Sequence, residues 1–236
     1  MKKNKKLIQI NAKEKHKTAL LEAKAKRRGE PLLDRQKATI AIKPTILIVC
    51  EGENTEPSYF SQFKLSSARI IPVGAGKNTL ALVDEAFSLS KDYQYDQVWC
   101  VFDKDSFPEA NFNYAVQKAL SNGLKVAYSN QAFEYWLLLH FEDHQGGEMN
   151  RKDYGKKINA YIKKYNISYD YNGSKIISEE FFDVLNEVDP YLKIDRRISA
   201  INRADRNDKF HKGKPAAKQE SSTKVFNLVQ EILKYL

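Results

Sequence analysis

The 236-residue chain has no run approaching the roughly 20 consecutive apolar residues that a membrane-spanning helix requires, so no partner membrane is expected. Its charged start, Met1-Lys2-Lys3-Asn4-Lys5-Lys6, has no apolar stretch or small-residue cleavage site behind it. That excludes a secretory-signal reading and leads us to expect a cytosolic protein. Only two cysteines occur, Cys50 and Cys100, each inside an apolar strand-like run. Two such residues provide no disulfide framework, and both read as reduced, buried and inert. Cys50 is also a poor nucleophile, because Glu51 beside it disfavours the thiolate. Internal repeats are lacking.

Charge is plentiful but unevenly placed. Residues 1–44 hold 14 Lys and Arg against 4 Asp and Glu, residues 45–150 hold 7 against 14, and residues 151–236 hold 18 against 12. The acidic middle is thus flanked by basic segments. An electrostatic nucleic-acid binder spreads positive charge over its folded body. Here the body concentrates carboxylates, as a metal site does, and leaves phosphate attraction to the flanks.

The pattern along the chain divides it into a basic arm and linker over 1–44, an α/β core over 45–145 and a mainly helical extension over 146–236. From Thr45 onward strand and helix signals alternate: strands at Thr45 to Cys50, Arg69 to Val73, Gln97 to Phe102 and Leu124 to Tyr128, with helices between them. This βα alternation predicts a parallel sheet flanked by helices. The Phe133 to Phe141 stretch reads as a helix too apolar for the surface. Beyond Gly146-Gly147 the sequence predicts helices at about 153–165, 178–188, 190–204 and 222–235, the last capped by Ser222 or Thr223. Asp205 to Lys214 reads as a long polar loop.

Two acidic clusters follow strand-like runs: Glu51-Gly52-Glu53 after Ile46 to Cys50, and Asp103-Lys104-Asp105 after Val98 to Phe102. Ligands of open α/β sheets gather at the carboxyl ends of the strands, so these carboxylates are expected to converge. Such a cluster suits Mg²⁺ or Mn²⁺, hard ions satisfied by carboxylates, water and phosphate oxygens. Gly52 is expected to let a substrate backbone approach. Asp103 and Asp105 alternate along an extended segment, facing one way with Lys104 turned aside. Glu134 is expected near the same edge, as a metal ligand or a support for one. Glu56 reads first as a helix-dipole partner and second as an addition to the site; Lys104 is a further candidate addition, as a cation for the reacting phosphate.

Other candidates carry weaker signals. Val73 to Thr79 fails as an ATP-hydrolysing phosphate loop, because Ile71 and Asn78 replace its required glycine and hydroxyl residue. Lys77 in this turn remains a candidate phosphate contact. Arg196, Arg197, Arg203, Arg206, Lys209, Lys212, Lys214 and Lys218 form a basic distal group suited to positioning phosphates. His140 and His144 have helical ligand spacing without a zinc-protease pattern, and read as structural.

The segment Ile-Leu-Ile-Val-Cys50-Glu51-Gly52-Glu53-Asn54-Thr55-Glu56-Pro57-Ser58-Tyr59-Phe60 resembles the RloB-like family in a specific register. Phe102-Asp103-Lys104-Asp105, Ser129-Asn130, Phe133 to Phe141 and Ser221 to Val225 fit the same resemblance, which covers about residues 45–236. It implies a Toprim-like, Rossmann-like fold of the kind found in topoisomerases, primases and overcoming-lysogenization-defect nucleases. It further implies Mg²⁺ on Glu51, Asp103 and Asp105, phosphodiester chemistry, a place in bacterial antiphage defence and a partner ATPase. The expected activity is nuclease action on RNA, a transfer RNA included, or on DNA. A catalytically silent module binding nucleic acid or the ATPase is the alternative, and primase-like nucleotidyl transfer is a third reading.

Overall fold

The computed structural model describes residues 2–27, 44–72 and 79–236. Of the expected linker at 31–44 all but Pro44 lies outside the described residues, as does the Lys77 phosphate contact. The chain divides into two units, Met1–Ile42 and Lys43–Leu236. The first contains helix α1, Lys2–Arg27, which has no acidic residue in its first turn and leaves Ile10, Leu20 and Leu21 exposed.

The second unit contains β1 (Ile46–Cys50), α2 (Thr55–Ser61), β2 (Ala68–Pro72), α3 (Thr79–Asp92), β3 (Gln97–Val101), α4 (Glu109–Ser121), β4 (Lys125–Val126) and β5 (Ser129–Asn130). There follow α5 (Glu134–Leu138), α6 (Arg151–Ile162), α7 (Glu179–Asn186), α8 (Arg196–Phe210), β6 (Ser222–Thr223) and α9 (Val225–Leu233). The main sheet has the order β2-β1-β3-β4 and is parallel throughout, with Ile46 paired to Ala68 on one side and Gln97 on the other. This is the α/β architecture that the alternation predicts, and it is compatible with a Toprim-like fold. No described helix is long and apolar enough to cross a membrane.

A central parallel strand is covered on both faces, which explains why β1 is an unbroken apolar run rather than an alternating one. Its side chains nevertheless sort by parity. Ile46, Ile48 and Cys50 join Trp99 and Val101 in a core shared with α2 and α5 to α9, while Leu47 and Val49 join Val98 and Cys100 against α3 and α4. Burial of each large apolar side chain contributes about 1.5–3 kcal/mol. Tyr59 centres the larger core, with the rings of Phe60, Phe63, Phe133 and Phe182 at centroid distances of 5.3–5.6 Å. The helical extension is therefore built on the sheet through Ile158, Phe181, Ala204 and Leu228.

Several expected elements have different limits. The apolar segment at 133–141 is buried up to His140 as expected, but only Glu134–Leu138 is α-helical. Its flanks wind through tighter bonds, such as His140 N–H to Leu137 O and Phe141 N–H to Leu138 O. The expected 190–204 helix is displaced to 196–210, where the Asp195 carboxylate caps Arg197 and Ile198 N–H. Most of the expected polar loop is thus helical, with a narrow buried face of Ala200, Ile201, Ala204 and Asn207 hidden among its charges. Ser222 and Thr223 form β6, paired antiparallel with β5, and α9 starts at Val225. Thr223 Oγ1 still accepts the Val225 N–H at 3.2 Å.

Candidate functional site

The sheet ends place the first carboxylate. Glu51 continues β1, where its N–H donates to Val101 O at 2.9 Å, and its Oε2 accepts the Asp103 N–H at 3.0 Å. Two adjacent strand ends are thereby tied through a side chain that itself faces the site. Asp103 remains in the ladder, bridging in parallel with Ser129, because Ser129 N–H donates to Phe102 O and Lys104 N–H to Ser129 O. Its Oδ2 accepts the Phe133 N–H at 3.1 Å, across the entrance to α5.

Asp105 arrives differently from the expected alternation. It has left the extended conformation, with φ of +37°, and its side chain is 47% exposed against 12% for Asp103. Both reach one cleft because the turn brings Asp105 back over the strand end. Lys104, a candidate addition to the site, is turned aside: its ammonium donates to Phe107 O at 2.6 Å and it does not line the cleft.

The cleft, of about 300 Å³, is lined by Glu51, Glu53, Glu56, Asp103, Asp105 and Glu134, with Arg151 and Lys175 as its cations. Glu56 lies in the first turn of α2, where a helix-dipole partner belongs, and is buried there. Gly52 explains how: a Cβ there would collide with the Glu56 carboxylate. The glycine admits this carboxylate, where close approach of a substrate backbone was expected. Thr55 opens α2 without capping it, and its hydroxyl lies 3.4 Å from the Tyr169 hydroxyl. Tyr169 in turn donates to Glu134 Oε1 at 3.0 Å.

Crowded carboxylates in a poorly solvated space resist ionisation. Burial, followed by Glu134 and Glu51, pushes Glu56 up to about 7. Asp103 is raised well above the usual carboxylate range by burial and then by Glu56 and Glu134, while Arg151 opposes this. Burial also raises Glu51, with Asp105 adding to the effect.

Arg151, Tyr169 and Lys175 are residues that the sequence reading missed. Arg151 Nη1 lies 2.6 Å from Asp105 Oδ2 and its Nη2 3.8 Å from Asp103 Oδ2. A signal existed, since a cation at the first position of a helix opposes the helix dipole and needs another reason to be there. Lys175 reaches the cleft from a loop in which the Asp170 carboxylate accepts Gly173 and Ser174 N–H. Neither it nor Tyr169 carried a comparable local signal.

The basic distal residues do not line this cleft. Arg203 donates to Leu139 O at 2.7 Å, Arg206 forms a bidentate pair with Asp143, and Lys209 pairs with Asp205 at 2.5 Å. Lys214 Nζ lies 3.2 Å from His211 Nδ1, and Lys212 is exposed beyond the end of α8. His140 is structural, its Nδ1 3.0 Å from Trp136 O and its pKa pushed down to about 3 by burial.

A family model described as RloB-like protein matches residues 46–232, from the first residue of β1 into α9. The chain belongs to the RloB-like family. No curated protein and no solved structure matches it. The RloB-like match spans every element that lines the cleft and excludes α1.

The hard oxygen donors of the cleft suit a divalent cation in their chemistry. They are not a ready cage, because among the described residues no three Asp, Glu, His or Cys side chains are grouped as a metal site. Asp103 and Asp105 instead meet the Arg151 guanidinium.

Proposed function

We propose that this RloB-like protein is a metal-dependent nuclease that hydrolyses phosphodiesters of RNA or DNA. The supporting observation is the convergence of Glu51, Glu56, Asp103, Asp105 and Glu134 on one cleft at the carboxyl edge of a parallel sheet. Glu51, Asp103 and Asp105 would hold Mg²⁺ or Mn²⁺, with Glu134 steadied by Tyr169 beside them. The ion would supply Lewis-acid stabilisation of the scissile phosphate and a more acidic water. Glu56, buried beside these ligands, is the carboxyl placed to exchange a proton with that water. Arg151 and Lys175 carry the positive charge of the cleft to the substrate phosphate. The family resemblance supports a role as an antiphage effector working with a partner ATPase.

A second reading is a silent module that binds nucleic acid or the ATPase. It draws on the Arg151 contacts with Asp103 and Asp105, which leave no grouped metal ligands among the described residues. The deciding experiment incubates purified protein with Mg²⁺ or Mn²⁺ against total RNA and plasmid DNA, beside Glu51→Gln and Asp103→Asn. Metal-dependent cleavage lost in both variants is the expected result. Binding without turnover under either metal favours the silent module, and cleavage that survives Asp103→Asn refutes the assigned site.

A further inference from the structure

Building on that cation-site reading, we propose that Arg151 is an exchangeable counter-cation. Its guanidinium occupies Asp103 and Asp105 until a divalent ion takes them, and the displaced guanidinium then binds the substrate phosphate.

Three observations converge on this role. Arg151 is the first residue of α6, where the helix dipole repels a cation and Asn150 already accepts the Lys152 N–H at 3.0 Å. Its position is therefore set by the cleft rather than by the helix. The guanidinium contacts Asp105 Oδ2 at 2.6 Å and lies 3.8 Å from Asp103 Oδ2, the carboxylates that a divalent ion would need. Two such cations a few ångströms apart repel strongly in a partly buried site, so their occupancies exclude each other.

The third observation gives the side chain somewhere to go. Arg151 also lines a smaller hollow of about 140 Å³ beside the cleft, with Lys152, Lys175 and Tyr171 and, on the side shared with the cleft, Glu134. This corner gathers three basic residues at the edge of an acidic cleft. A Cβ at Gly155 would strike the Tyr171 ring, so the glycine lets that ring pack against α6 beside the hollow. Arg151 borders both spaces, and its long side chain has several staggered rotamers to choose from. There its planar donor fork matches two oxygens of a phosphate.

The test uses the full chain, with Mn²⁺ alone as the first probe and calorimetry as the readout. Arg151→Gln is expected to bind Mn²⁺ about tenfold more tightly than wild type, within the usual range of coupling between competing sites. Arg151→Lys, which keeps the charge, is expected to stay closer to wild type, and thermal unfolding of each variant checks the fold. With Mn²⁺ bound, a non-hydrolysable single-stranded oligonucleotide is expected to bind Arg151→Gln about tenfold more weakly, with a salt slope smaller by about one contact. Unchanged or weaker Mn²⁺ binding by Arg151→Gln overturns the competition, and unchanged oligonucleotide binding overturns the phosphate role. Failure of wild type and Arg151→Gln alike to bind Mn²⁺ overturns the cation-site reading and the exchange with it.

Discussion

Gly52 stands where any side chain would strike the Glu56 carboxylate. The contact couples the turn after β1 to the first turn of α2, so one missing methyl group determines whether a buried acid can face the cleft. Gly52→Ala is expected to destabilise the protein by about 1–3 kcal/mol through overpacking. Cleavage and Mn²⁺ binding should fall further than that loss accounts for, because Glu56 must move. Urea unfolding beside Mn²⁺ titration separates the two effects, and a variant with wild-type stability and metal affinity would contradict the argument.

Glu56 also predicts a pH dependence. Its folded pKa, about 7, lies above its ordinary value of 4.5, so between these values the folded state binds more protons than the unfolded one. The stability contributed by the protonated carboxyl is fully present below about 4.5 and is lost as pH rises through about 7. On the order of 3 kcal/mol is at stake for a buried group shifted this far. Melting temperatures of the metal-free protein at pH 5 and pH 8 measure it. Glu56→Gln should flatten this part of the profile, and an unchanged slope would assign the effect to other groups.

The hydroxyl of Tyr169 supports Glu134 from the loop after α6. Tyr169→Phe removes a buried hydrogen bond to a carboxylate while keeping the ring among Phe181 and its neighbours. A loss of about 1–3 kcal/mol is expected in denaturant unfolding. Turnover should fall at least tenfold if Glu134 helps hold the cation, whereas a purely structural tyrosine would change stability alone.

The legible part of the fold was the part written in local periodicity. The five apolar residues of β1 and the run before Asp103 announced covered parallel strands, and strand ends made Glu51 and Asp103 candidates without knowledge of a single contact. Helix α8 was harder to place, since apart from Ile201 its buried face consists of small or polar residues such as Ala200, Ala204 and Asn207, which do not stand out among arginines and aspartates. Glu56 was legible as a first-turn acid of α2, but its burial against Gly52 was not, because that contact exists only in the fold. Arg151 reaches the cleft, and Tyr169 reaches Glu134, from about 50 to 120 residues beyond Glu51 and Asp103, and such proximity is created only by folding.

Asp103 and Asp105 should respond differently to loss of charge. Asp103 is buried among carboxylates that disfavour its ionisation, and its Oδ2 accepts the Phe133 N–H. Asp103→Asn keeps the shape and an amide oxygen for that bond while removing a costly buried charge. The metal-free variant is therefore expected to be as stable as wild type or more so at pH 8, while Mn²⁺ binding and cleavage collapse. Asp105 is half-exposed and pairs with Arg151, so Asp105→Asn should change stability by only about 0.5 kcal/mol, as exposed ion pairs do. Its Mn²⁺ affinity should fall less than that of Asp103→Asn, because the same substitution releases Arg151, the competitor. Thermal melts with and without Mn²⁺ test both expectations together: a large metal-induced rise for Asp103→Asn, equal to that of wild type, would remove Asp103 from the site.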